Sequence, residues 1–171
     1  GFGAEDLDRV LDVQFQLVRK GVGTYEEFAT SIGKSIPSAR RAGQNIETLA
    51  GTLAFMTRNG LSAQMASTSA ARAFDNLSNP KIVQRLHAMG IEVIDGKGNF
   101  RQMNEIIVEL GKSMEGLTDA QRASKLAALF RGAGNNIQAR RFWDLAIRNY
   151  DELDQRTKEM INSAGSLENA Y

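Results

Sequence analysis

The sequence predicts a mainly α fold: a multi-helix bundle of short helices with one small β-hairpin at about residues 91–101. Three observations point there. Apolar residues recur at three- and four-residue spacing along most of the chain, the period of a buried helix face. Thr24, Asn45, Ser62 and Thr118 stand before such runs, and Gly21, Gly43, Gly60 and Gly132 follow them. Short polar side chains satisfy free amides at a helix start, and glycine turns the chain at its end. Only residues 91–101 depart from this pattern. There, apolar residues flank Asp95-Gly96-Lys97-Gly98-Asn99, a turn whose glycines supply positive φ.

The first helix presents Leu7, Val10, Leu11, Phe15, Leu17 and Val18 at helical spacing and stops at Lys20-Gly21. Thr24, three residues before Glu27, has the spacing of a capping box and opens a second helix with Tyr25, Phe28, Ala29 and Ile32 inward. Ile36-Pro37 is expected to break it, because proline disfavours helical geometry in the residue before it, leaving residues 38–42 as a short helix. Asn45 caps a helix bearing Ile46, Leu49, Leu53 and Met56, and Ser62 caps the next. Asn79-Pro80 opens another that ends at Met89-Gly90. After the hairpin, pinned by Ile91, Val93 and Phe100, comes a helix with Asn104, Ile106, Ile107 and Leu110. Thr118 caps an Ala-rich helix reaching Phe130. Residues 132–136 form a flexible break, and 137–148 carry Phe142, Trp143, Leu145 and Ile147. A polar helix from Tyr150 to Tyr171 has sparse apolar points at Leu153, Met160, Ile161 and Leu167. Two domains are expected: 1–131, a helical core with the hairpin, and 132–171, a helical extension. The two chain ends read as cuts through a longer protein.

An internal repeat is visible. The run from Gly23 to Thr30 aligns with that from Gly60 to Ser67, 37 residues on. Each copy is a helix, a glycine stop and a capped helix, and helical-pair repeats have periods of this size. The second copy continues into Ala63, Ala66, Ala70 and Ala73 on one face. Small residues there permit close helix approach, either inside the core or against an identical subunit.

Composition narrows the function classes. Lys and Arg number 21 against 20 Asp and Glu, a net charge of +1, so no overall field draws the chain to nucleic acid or anionic lipid. Without cysteine and with one histidine, neither thiolate chemistry nor a structural zinc site is expected. His87 sits at a helix end with no serine or carboxylate partner at catalytic spacing. Asp6, Asp8 and Asp12 lie along a helix face without the glycine turn of a calcium loop. In Asp95-x-Lys97-x-Asn99 a lysine takes the place of the middle acid. Neither Gly96-Lys97-Gly98 nor Gly132-x-Gly134 has the context of a phosphate or dinucleotide loop. No catalytic, cofactor-binding or metal residue is therefore assigned, and no cofactor. The interaction candidates are the alanine face and the pair Arg140 and Arg141. Clustered arginines contact phosphates or lie solvated, and the neighbouring Trp143 and Ile147 fit a core better than a stacking platform.

The order of elements from Gly60 to Phe130 resembles the core region of phage tail tape measure proteins, also called minor tail proteins. The phrase Leu-x-x-Met-Gly-Ile-x-Val-x-Asp-x-x-Gly-x-Phe-Arg from Leu86 to Arg101 is its most specific part, and the resemblance covers nearly the whole chain. One departure is Arg131, which intervenes between Phe130 and Gly132 where family members often have glycine directly. The resemblance implies a structural protein that sets tail length during assembly, lies in the tail lumen or tip, and leaves ahead of the DNA. It implies as partners the tail tube, tail tip or baseplate (distal tail, hub) proteins and tail assembly chaperones, with a few copies of the chain together in one lumen. It implies location in the virion tail, with passage through the host cytoplasm during assembly. Membrane contact would come only from parts outside this chain. The rival reading is a helical adaptor that binds protein or nucleic acid through its arginine pairs. A fused peptidoglycan hydrolase would need a constellation these residues lack.

Overall fold

The computed structural model describes residues 4–134 and 136–163, with the side chains of 4–8 left aside. Leu7, Asp6, Asp8, Leu167 and Tyr171 therefore lie outside the described side chains. The described residues form nine helices: α1 (Ala4–Lys20), α2 (Tyr25–Arg41), α3 (Ile46–Arg58), α4 (Ala63–Leu77), α5 (Pro80–Ala88), α6 (Met103–Ser113), α7 (Asp119–Phe130), α8 (Ile137–Arg148) and α9 (Tyr150–Ile161). Among the described residues no helix is long and apolar enough to cross a membrane.

Most starts are fixed by the residues expected. Thr24 accepts from the Glu27 amide, Ser62 from Met65 and Asn79 from Lys81, with Pro80 in the first turn. Thr118 and Gln121 complete a reciprocal capping box, and Asn136 accepts from Gln138 and Ala139. Asn45 stands at the start of α3, but its side chain makes no cap bond.

Two rows of helices stack as pairs. In one row α1 packs on α3 and α3 on α9; in the other α2 packs on α4 and α4 on α8. The contacts between the first two pairs hold nearly constant spacing. Arg9 pairs bidentately with Glu47, Arg58 donates to the Lys20 carbonyl, Ser67 to the Ser31 carbonyl, and Arg41 to Asp75, joining residues 34 to 38 apart. The sequence repeat is thus one helical pair laid parallel on its copy. The third pair enters in the opposite sense: Asn59 at the end of α3 donates to Glu152 at the start of α9. Gly51 makes this approach possible, since a Cβ there would lie 2.5 Å from the Thr157 Cα.

Helices α5 to α7 form an insertion between the second and third pairs. Two glutamines clasp it to the stack. Gln44 donates to the Ala42 and Arg101 carbonyls and accepts from the Met103 amide at 2.7 Å. Gln102 accepts from the Asn45 amide and Thr48 hydroxyl and donates to the Gly43 carbonyl. Phe100 covers Gly43, whose φ of +63° and lack of a Cβ allow the contact. Helix α6 lies against α8 and α9, α5 against α4, and α7 against α5.

Two expectations are corrected. There is no β-hairpin: among the described residues no strand forms, and residues 91–101 hold one isolated antiparallel bridge, Ile94 to Phe100. The Asp95 carboxylate closes the loop by accepting from the Lys97 and Asn99 amides, and the chain then enters α6 at once, leaving no length for a ladder. Pro37 does not end α2. The ring costs a hydrogen bond in that turn, but nearby carbonyls gain other donors: Ser35 donates to Ile32 and Ser67 of α4 to Ser31. Packing on α4 along its length keeps α2 continuous, so residues 38–42 are its last turns. The boundary expected after 131 falls between α7 and α8, and Ala139, Phe142, Trp143, Ala146, Ile147, Leu153 and Met160 lie in one buried cluster with residues of the preceding helices.

Candidate interaction surface

The four alanines point inward. Ala63 is 2% exposed and Ala66, Ala70 and Ala73 are fully buried, on a helix covered by α2, α3 and α8 of the same chain. Their small size serves this internal packing.

Arg140 and Arg141 diverge. The Arg140 guanidinium sits 5.4 Å from the centre of the Phe130 ring, a cation–π contact. Behind it Phe130 and Phe142 meet Trp143 edge-on, at 5.6 and 6.1 Å between ring centres. The buried indole N–H donates to Asn76 Oδ1 at 2.9 Å. Trp143 is therefore core, as its spacing with Ile147 indicated. Arg141 is exposed, and Arg148 pairs with Asp144.

Among the described residues no catalytic arrangement is assembled. His87 is exposed and pairs with Glu92 at 2.6 Å. Among the described residues no three His, Cys, Asp or Glu side chains are grouped to hold a metal. The perturbed titrations follow local pairing. Tyr150 is pushed up to about 12, first by its hydrogen bond to Glu115. Lys158 is raised by its hydrogen bond to Asp154, which also accepts from Asn104 of α6.

Two clefts open on the surface. One, of about 420 Å³, lies between the starts of α2 and α4 and is lined by Glu26, Glu27, Thr30 and Gln64. Its carboxylates already complement the α2 terminus. The other, of about 290 Å³, lies between α5 and α7. Its floor is Ala88, Met89, Ala128 and Leu129, and its rim is Arg85 and Lys125. Three side chains of the α5 start and middle hold the end of α7: Asn79 donates to the Ala133 carbonyl, Lys81 to Gly132 and Arg85 to Leu129. Sequence reasoning missed this cleft, because its walls come from helices that α6 separates in the chain. The only hint was the light apolar content of α7.

With catalysis unassembled and the helices stacked as pairs, the chain's relatives decide its class. A family model for phage-related minor tail proteins matches residues 1–131. The chain belongs to that family. It is 24% identical over 168 residues to the tape measure protein of Pneumococcus phage Dp-1, covering 97% of this chain and 14% of that protein. It is 24% identical over 162 residues to the probable tape measure protein of Escherichia phage P2, covering 88% of this chain and 20% of that protein. The chain thus spans a fifth or less of these relatives. No solved structure matches it.

Proposed function

We propose that this minor tail family member is the folded core segment of a tape measure protein. The full-length protein sets tail length as the tube polymerises, occupies the lumen or tip, and leaves ahead of the DNA. The observation that carries this reading is that both relatives named above are tape measure proteins and align along most of this chain. The role is structural, not enzymatic. A helix rises about 1.5 Å per residue, so the length of a helical chain can be copied into the length of a tube. The stacked helical pairs described above are unlike such a rod. They suit an anchor that docks on tail tip or baseplate proteins, with the tube, assembly chaperones and further copies of the chain as other partners.

The test is an in-frame deletion within the full-length protein, outside these residues, with tail lengths measured by electron microscopy. Shortening by about 1.5 Å per deleted residue is the expected result. Unchanged length overturns the ruler role. The adaptor reading draws only on exposed cations such as Arg141, and salt-dependent binding of duplex DNA that is lost in Arg140→Ala/Arg141→Ala would favour it.

A further inference from the structure

We propose that the cleft between α5 and α7 is a docking groove for an acidic amphipathic helix of another tail protein, an assignment that rests on the tail reading above. The groove has the parts this recognition mode uses: an apolar floor between two helices, polar side chains along its edges, and small residues where a third backbone must come close. Ala88 and Ala128 supply the small positions. Met89, 38% exposed at the end of α5, supplies an adaptable apolar contact.

Charge selects the partner. Helix α5 carries no acid, and the one acid of α7, Asp119, is paired with Arg122 at 2.8 Å. Glu92, just beyond α5, is engaged by His87. The rim cations Arg85 and Lys125 form no ion pair among the described residues. Arg85 donates to the Leu129 carbonyl of α7, while Lys125 is exposed. The rim is therefore positive with no internal counter-charge. An apolar helix flanked by Glu or Asp complements both its floor and its edges. Nucleic acid fits worse, because duplex binding draws on many phosphate contacts and most of this groove is hydrocarbon. The lining runs over residues 125–129 of α7 and 85–89 at the end of α5, about one turn or 6 Å of each axis, so the occupant seats one to two turns with anchors at i and i+3 or i+4.

The experiment places p-benzoylphenylalanine at Met89, or separately at Ala128, in the full-length protein of the intact phage. Assembled tails are irradiated and the cross-linked peptides sequenced. The expected product joins the groove to one segment of a different tail protein, with apolar anchors at that spacing and acids beside them. Lys125→Glu then lowers the yield about tenfold while the protein still enters tails, and reversing the partner's acids restores it. Cross-links to a second copy of this chain or to DNA, no cross-link in tails that contain the protein, or a yield indifferent to the charge reversal overturn the groove assignment alone. Tails that lack the protein overturn the tail reading and the groove with it.

Discussion

Replacing Gly51 by alanine sets two known effects against each other. Alanine in a helix interior is favoured over glycine by about 1 kcal/mol, so local propensity predicts a gain in α3. The structure predicts a loss. The new Cβ would lie 2.5 Å from Thr157 Cα, 2.6 Å from its Oγ1 and 2.8 Å from its N. Two of these atoms are backbone, so no rotamer change relieves the clash and α9 must move as a unit. Overpacking of this kind costs about 1–3 kcal/mol, and backbone contacts this short belong at the upper end. The net effect of Gly51→Ala is therefore a loss of about 1–2 kcal/mol, the overpacking cost less the helix gain. For a chain of this size each kcal/mol moves Tm by roughly 2–4 °C. Gly33→Ala provides the control, because nothing lies within 4 Å of that position in α2. It should stabilise by about 0.5–1 kcal/mol. Thermal unfolding followed by circular dichroism reads both. If Gly51→Ala melts at or above the parent while Gly33→Ala behaves as expected, the close approach of α3 and α9 is wrong, and with it the third pair of the stack.

Gly111→Ala meets a movable neighbour, the Tyr150 ring; its cost should disappear in a Tyr150→Ala background, as a double-mutant cycle of unfolding free energies would show. The Tyr150 hydroxyl is held protonated by Glu115, with its pKa raised from 10.0 to about 12. A raised folded-state pKa means that this contribution to stability is fully present below pH 10 and is lost as pH rises toward 12. Tyr150→Phe should flatten that alkaline loss in denaturant titrations, and phenolate absorbance should show one tyrosine titrating near the upper value in the parent. Asn76→Ala leaves the buried Trp143 N–H without its acceptor and should cost about 1–3 kcal/mol, read by denaturation monitored through the fluorescence of the single tryptophan.

How much of this was legible in the sequence depended on the range of the interactions. Caps act over three residues, so Thr24, Ser62 and Thr118 announced their helices directly. The pair repeat was legible because Gly23 and Gly60 mark the same turn twice. Pro37 misled because its local penalty is outweighed by the packing of α2 along α4, an element whose Ser67 lies 30 residues on in the chain. The expected hairpin failed for a similar reason: alternation at Ile91 and Val93 reflects burial against helices, and pairing stops at one bridge because only two residues separate Phe100 from α6. Spacing could show that Ala63, Ala66, Ala70 and Ala73 share a face, but not which chain covers it.

The same distinction explains where an interaction surface can arise in this fold. In the paired stack each helix of the middle pair is covered on two sides, and α3 is buried at almost every position from Ile46 to Thr57. Substitutions there are constrained by packing, as Gly51 illustrates. Helix α7 is held differently, by a few directed hydrogen bonds from Asn79, Lys81 and Arg85 to carbonyls at its end. Of the 12 residues of α7 only Leu126, Leu129 and Phe130 are buried. Its outer face is therefore free to vary without disturbing the core, while its position is fixed by backbone carbonyls that any sequence supplies. A tail protein that must keep one fold yet meet a particular partner would place recognition on such an element, and the unpaired cations beside Met89 lie there.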